Sequence, residues 1–134
     1  MSFLDKIKLI NKKVYILGGS GLIGEKVVKN TLSVGAEVIV LDVKKKKIQK
    51  NVKYEKFDCS KLKTLEKNFN RIIKKLGCPD VFINCSYPRT KDWTQCSFNK
   101  ITLKRMTKNV EIHMNSYAWA AKIVAEKMVK NKIK

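Results

Sequence analysis

Metal ligands, signal-like segments and arginines are all scarce in this chain of 134 residues. Cys59, Cys78, Cys85 and Cys96 are irregularly spaced without a C-x-x-C pair, and the single histidine, His113, has no ligand-spaced neighbour, so no metal is expected. The thiols should be reduced and mostly buried. No apolar run approaches a membrane-spanning length, and Met1-Ser2-Phe3-Leu4-Asp5-Lys6 lacks the apolar core of a secretory signal. A cytoplasmic chain with no membrane partner is the expectation. Repeats and low-complexity linkers are missing too, and the length suits one domain with a modest core.

The net charge of +19 invites an anionic partner. Guanidinium groups occur only at Arg71, Arg89 and Arg105, however, and the remaining cations are lysines scattered over nearly every polar face. Base-edge reading leans on the bidentate guanidinium, so no specific nucleic acid is expected as partner. A basic nucleic-acid-binding protein stays as a rival, recognisable by salt-sensitive duplex binding. Only Lys44-Lys45-Lys46-Lys47 forms a run, read as a solvated loop with a phosphate site as the alternative.

What is present is a phosphate-type turn. Gly18-Gly19-Ser20-Gly21-Leu22-Ile23-Gly24 follows the apolar run Val14-Tyr15-Ile16-Leu17 and precedes an amphipathic stretch. A dinucleotide-binding strand, turn and helix need that order: the chain turns sharply at Gly18, Gly21 leaves no side chain before a pyrophosphate, and Gly24 lets the helix pack closely. The pyrophosphate would meet free N–H groups at a helix N-terminus. A second apolar run, Val38-Ile39-Val40-Leu41, ends in Asp42, where a carboxylate can reach ribose hydroxyls; a strand-ending turn is the alternative.

Along the chain, residues 1–13 read as a short helix or arm. Leu22, Ile23, Val27, Val28, Thr31, Leu32 and Val34 recur at helical spacing, and Gly35 stops that helix. A third strand is expected over residues 52–57, ending at Asp58. Ser60 is the expected N-cap of a helix carrying Leu62, Leu65, Phe69, Ile72, Ile73 and Leu76, closed by Gly77. Asp80-Val81-Phe82-Ile83-Asn84 is brief and apolar, as a central parallel strand should be. Residues 85–109 read as a polar loop with a short helical turn near Thr102. A long helix follows from Val110 to Met128, apolar on more than one stripe and therefore needing cover from the sheet and from a second subunit. Alternating strands and helices give an α/β, doubly wound, Rossmann-like parallel sheet in the order 3-2-1-4.

With those elements placed, the chain resembles the N-terminal half of a short-chain dehydrogenase/reductase from about Lys12 to its end. Gly18, Gly21 and Gly24 fit the family's G-x-x-G-x-x-G variant, and Asp42 fits its ribose position. Asp58-Cys59 fits the pair beside adenine, and Ile83-Asn84-Cys85-Ser86-Tyr87 takes the place of V-N-N-A-G while keeping only the first asparagine. The resemblance implies NAD(P)-dependent hydride transfer with a small alcohol, ketone or sugar. Cofactor contacts would come from Gly18, Ser20, Gly21, Ile23, Gly24, Asp42, Asp58, Cys59, Asn84, Cys85 and Ser86, with NAD preferred to NADP. The Tyr87-Pro88-Arg89 loop and the glycine variant are similar to a branch associated with bacterial surface-sugar and flagellin-modifying oxidoreductases.

Placing Met128 on the family's late methionine puts His113 where the catalytic asparagine stands. His113 is then a candidate proton-relay residue. Asn115 competes but breaks that register, and packing of His113 against the loop is the other alternative. The family's catalytic serine and Tyr-x-x-x-Lys are not found at usable positions before Lys134. Tyr87-Pro88-Arg89-Thr90-Lys91 matches the string formally, but Pro88 and its place after the fourth strand make it a loop. The expectation is one NAD(P)-binding Rossmann domain over residues 1–134, truncated before the later strands and inactive alone. A stand-alone NAD-binding sensor or regulatory module is the alternative.

Overall fold

The computed structural model describes residues 8–46 and 50–133. Strand β1 (Lys13–Leu17) is followed by helix α1 (Leu22–Ser33), β2 (Glu37–Asp42), β3 (Lys53–Lys56), α2 (Leu65–Leu76), β4 (Val81–Asn84) and α3 (Leu103–Lys130). The four strands are parallel in the order β3-β2-β1-β4, with Ile16 opposite both Val40 and Ile83. Helices cover both faces, as a parallel sheet requires.

The apolar runs of β1 and β2 are written without alternation because both of their faces are buried. Tyr15, Leu17, Ile39 and Leu41 pack under α2 and α3, against Phe69, Ile72, Ile123 and Val124. Val14, Ile16, Val38 and Val40 face the other way, onto Val28 of α1. Each such aliphatic or aromatic side chain contributes about 1.5–3 kcal/mol relative to exposure. Tyr15 places its hydroxyl at the edge of the core and donates it to the Gly77 carbonyl at 2.6 Å. Gly35 and Gly77 end α1 and α2 at φ +88° and +86°, a conformation that side chains disfavour.

Several boundaries differ from the sequence reading. The arm expected over residues 1–13 lies outside the described residues up to position 7, and residues 8–12 form a turn bonded by Leu9 N to the Val34 carbonyl. Lys47 of the lysine run also lies outside them. Strand β3 is shorter than residues 52–57, although Phe57 N still donates to the Asp42 carbonyl. Ser60 caps no helix: its amide and hydroxyl both turn back onto Asp58 Oδ1, and a 3-10 turn (Leu62–Thr64) intervenes before α2. The helical turn near Thr102 and the long helix are one element, capped by Thr102 Oγ1 accepting from Arg105 N. Strand β4 pairs only with β1 among the described residues, so it is an edge strand here. Of the four cysteines, only Cys59 is buried.

Candidate functional site

The site forms where β1 ends and the strand order reverses toward β4. Gly18 sits at φ +78°, and a Cβ there would lie 2.6 Å from the Ser86 backbone. Gly24 is tighter still, since a Cβ would stand 2.1 Å from the Gly18 carbonyl oxygen. Gly21 differs from both. Its Cβ would meet only the Gly18 oxygen at 3.2 Å, with open space beyond. Gly21 is also the N-cap of α1 and no side chain caps that helix, leaving first-turn N–H groups and the positive end of the dipole for a ligand. Beside it, the Ser20 hydroxyl is buried without a hydrogen-bond partner.

Asp42 ends β2 next to this turn. Its Oδ2 accepts from Ser20 N at 3.0 Å and its Oδ1 from Lys44 N at 3.3 Å, which leaves acceptor capacity for a ligand hydroxyl. The Asp42 carbonyl accepts the Tyr54 hydroxyl at 2.8 Å. Burial and the Asp42 charge both push the Tyr54 pKa up, so that hydroxyl stays a donor. Farther along the same wall, burial pushes the Cys59 thiol up against a smaller opposing effect of its bond to Ser86, which makes it a poor nucleophile.

These groups open onto one cleft of about 770 Å³, within the range of small-molecule sites. Gly18, Ser20, Gly21 and Ile23 line it from the turn, Asp42, Asp58 and Cys59 from the β2–β3 side, and Cys85 and Ser86 from the β4 side. Gly24 and Asn84 are set back from the lining. Gly24 serves close packing, and Asn84 holds its neighbour, its Oδ1 accepting from Ser86 N at 3.0 Å and Ser86 Oγ at 2.6 Å. Leu22 and Ile23 keep the helical period of α1 but are 84% and 70% exposed and form cleft wall.

His113 is also set back. Its ring lies 4.5 Å from that of Tyr87 and 6.2 Å from that of Tyr117, with Trp93 edge-on at 6.3 Å. Its Nε2 is buried without a hydrogen-bond partner. Tyr87 through Lys91 adopt no helix, so Tyr87 and Lys91 share no helix face. The loop is pinned to α3 by Asp92 with Arg105 at 2.8 Å and by Thr90 Oγ1 donating to Asn109 Oδ1 at 3.1 Å. Sequence reasoning assigns no cofactor contact to Val43, Tyr87, Pro88 or Arg89 on the lining, and Lys44 and Lys46 enter it only through the alternative phosphate site of the lysine run. It also missed Tyr54 and Tyr117, which act through backbone carbonyls and leave no motif. Among the described residues no group of three acidic, histidine or cysteine side chains could hold a metal, and no helix is long and apolar enough to cross a membrane.

A glycine turn, an uncapped helix start and a strand-end carboxylate at the carboxyl edge of a parallel sheet define a Rossmann-like α/β protein. The family model for short chain dehydrogenase matches residues 12–133, and the chain belongs to that family. It is 23% identical over 124 residues to the post-translational flagellin modification protein A of Campylobacter coli, covering 84% of this chain and 48% of that protein. The short chain dehydrogenase of Leptospira borgpetersenii, solved with bound NAD+, superposes with a TM-score of 0.78 at 24% identity, over 99% of this chain and 51% of its own. A 4-hydroxyisoleucine dehydrogenase complexed with NADH gives a TM-score of 0.74 at 22% identity, covering 92% of this chain and 52% of its own. The chain thus spans about half the length of these relatives.

Proposed function

We propose that this chain is the cofactor-binding half of an NAD-dependent short-chain oxidoreductase acting on a small alcohol, ketone or sugar. The observation that carries the reading is the convergence of three unsatisfied features on one cleft: the Ser20 hydroxyl, the uncapped α1 N-terminus and the spare acceptors of Asp42. A dinucleotide fits all three. Ser20, Gly21 and the first-turn amides of Leu22 and Ile23 would hold the pyrophosphate, with Gly18 and Gly24 shaping the turn. Asp42 would hold the adenosine ribose, Asp58 and Cys59 would flank adenine, and residues Asn84, Cys85 and Ser86 would border the second nucleoside. The bound cofactor supplies the hydride donor or acceptor.

Proton transfer needs a positioned donor within hydrogen-bond reach of the substrate oxygen. Tyr87 and Lys91 lie in a non-helical loop, so this chain alone should bind cofactor without turnover. His113 serves the loop in this reading: its ring packs against that of Tyr87 at 4.5 Å, tilted by 31°. The exposed apolar side of α3 is proposed to seat a second copy.

Titration decides the cofactor. NADH should bind more tightly than NADPH, because the Asp42 carboxylate accepts ribose hydroxyls and repels a 2′-phosphate. Asp42→Ala should weaken NADH about tenfold, the worth of a charge-assisted hydrogen bond, and narrow the gap to NADPH. A wild-type chain that binds neither dinucleotide, or a preference that Asp42→Ala leaves unchanged, overturns the reading.

A further inference from the structure

The turn leaving β4 is held from three sides. From below, the Ser86 Cα and N occupy the space a Gly18 side chain would need. Within the turn, Ser86 N and Oγ are tied to Asn84 Oδ1, and the Cys59 thiol reaches Ser86 Oγ at 3.5 Å. From behind, Tyr117 of α3 donates its hydroxyl to the Ser86 carbonyl at 2.6 Å. The missing side chain of Gly18 therefore accommodates protein backbone, and the lip of the cleft at Ser86 and Tyr87 is fixed by a helix more than thirty residues away in sequence.

We infer that Tyr117 is a positioning residue for the second nucleoside of the dinucleotide, acting through the Ser86 carbonyl. The inference rests on the dinucleotide reading above. Asp42 lies on the β2 side of the glycine turn and Ser86 on the β4 side, so a ligand with its pyrophosphate at α1 and one ribose at Asp42 must extend its other half past Ser86. With the Tyr117 hydroxyl gone, the Ser86 carbonyl has no donor from α3, and the lip loses its register against that half. Burial, then the nearby Cys59 and Tyr87, push the Tyr117 pKa up, which keeps the hydroxyl a donor at neutral pH. The Tyr117 ring is stacked at 19° on His113, which packs on Tyr87, so the same helix holds two successive lip residues.

The test is Tyr117→Phe in the full chain, which keeps the ring and removes the hydroxyl. Wild type and variant are titrated with NADH and with ADP, which has no second nucleoside. NADH affinity should fall about fivefold to tenfold, the worth of one hydrogen bond, while ADP affinity stays within about twofold, since ADP does not reach the lip. Equal losses for the two ligands, an unchanged NADH affinity, or a variant too unstable to titrate would overturn the inference and leave Tyr117 a packing residue. A wild-type chain that binds ADP but gains nothing from the second nucleoside also overturns it. Failure of the wild type to bind either ligand is a distinct result, because it removes the dinucleotide reading itself.

Discussion

The two flanks of the sheet are built by different rules. On the β2 side, Val38, Ile39, Val40 and Leu41 are all buried, and Asp42 is tied to the glycine turn and to β3. On the β4 side, Val81, Phe82 and Ile83 are half-buried, the strand has one sheet neighbour among the described residues, and its exit is held by α3. The end of β2 is bonded by Ser20 and Phe57, near it in sequence, whereas the exit of β4 is bonded by a distant helix, and β4 leaves an unpaired edge among the described residues. In the proposed reading, the adenosine half of a dinucleotide would meet the locally bonded flank and the second nucleoside the flank held by α3.

The comparison is most exposed to paired truncations. Leu41→Ala and Ile83→Ala remove similar aliphatic bulk from the two flanks. Leu41 is fully buried among Leu17, Phe57 and Phe69, so its loss should cost about 2–5 kcal/mol. Ile83, already in partial contact with water, should cost about half as much or less. Chemical denaturation of both variants measures the difference. Equal costs would mean that β4 is covered in solution and that the contrast between the flanks is false.

The same contrast explains what the sequence reveals. From Val14 to Asp42 every feature is local: two uninterrupted apolar runs, a glycine turn and a terminal carboxylate, each legible because central parallel strands and close turns constrain residue types directly. Local competition hides the start of α2, where Ser60 bonds Asp58 instead of capping a helix. The start of α3 is hidden because Leu103 and Met106 are exposed and give no core-facing period. Leu22 reads only as part of the helical period because a cleft wall and a core select the same apolar types. The Tyr117 bond to Ser86 leaves no trace at all, since a carbonyl acceptor imposes nothing on the residue that carries it.

A smaller effect comes from one carboxylate on each flank. Burial alone would push Glu55 up, but its hydrogen bonds to Lys75 and Arg71 of α2 outweigh that and hold it below the usual range. Asp80 is held down chiefly by the Lys13 amide at 2.8 Å, with Lys12 adding its charge. A carboxyl whose folded pKa is lowered contributes stability that is present above the unfolded value of about 4 and lost as pH falls through the folded value. Melting temperature should therefore drop on acidification from about pH 5 to about pH 2. Glu55→Gln should flatten that drop more than Asp80→Asn, because Glu55 is the more buried of the two and binds two cations. The reverse order would place the more strongly coupled carboxylate on the β4 flank.

The smallest effect on stability should accompany the clearest effect on assembly. Leu103, Met106, Val110, Met114, Ala118, Ala121, Ala125 and Val129 recur every three or four residues along α3, and all are exposed. They form an apolar stripe on the side away from the sheet, with alanines at its middle that would let a second helix approach closely. Replacing Val110 and Met114 with glutamine keeps helix propensity and removes no buried contact, so folding stability should change by less than about 0.5 kcal/mol. A second copy seated on the stripe would nevertheless be lost, so sedimentation velocity should show association in the wild type and a monomer in the variant. Two chains of net charge +19 repel each other, so wild-type association should strengthen as salt screens that repulsion, the opposite of an interface held by ion pairs. A wild-type chain that stays monomeric at high concentration and moderate salt would remove the second copy from the stripe.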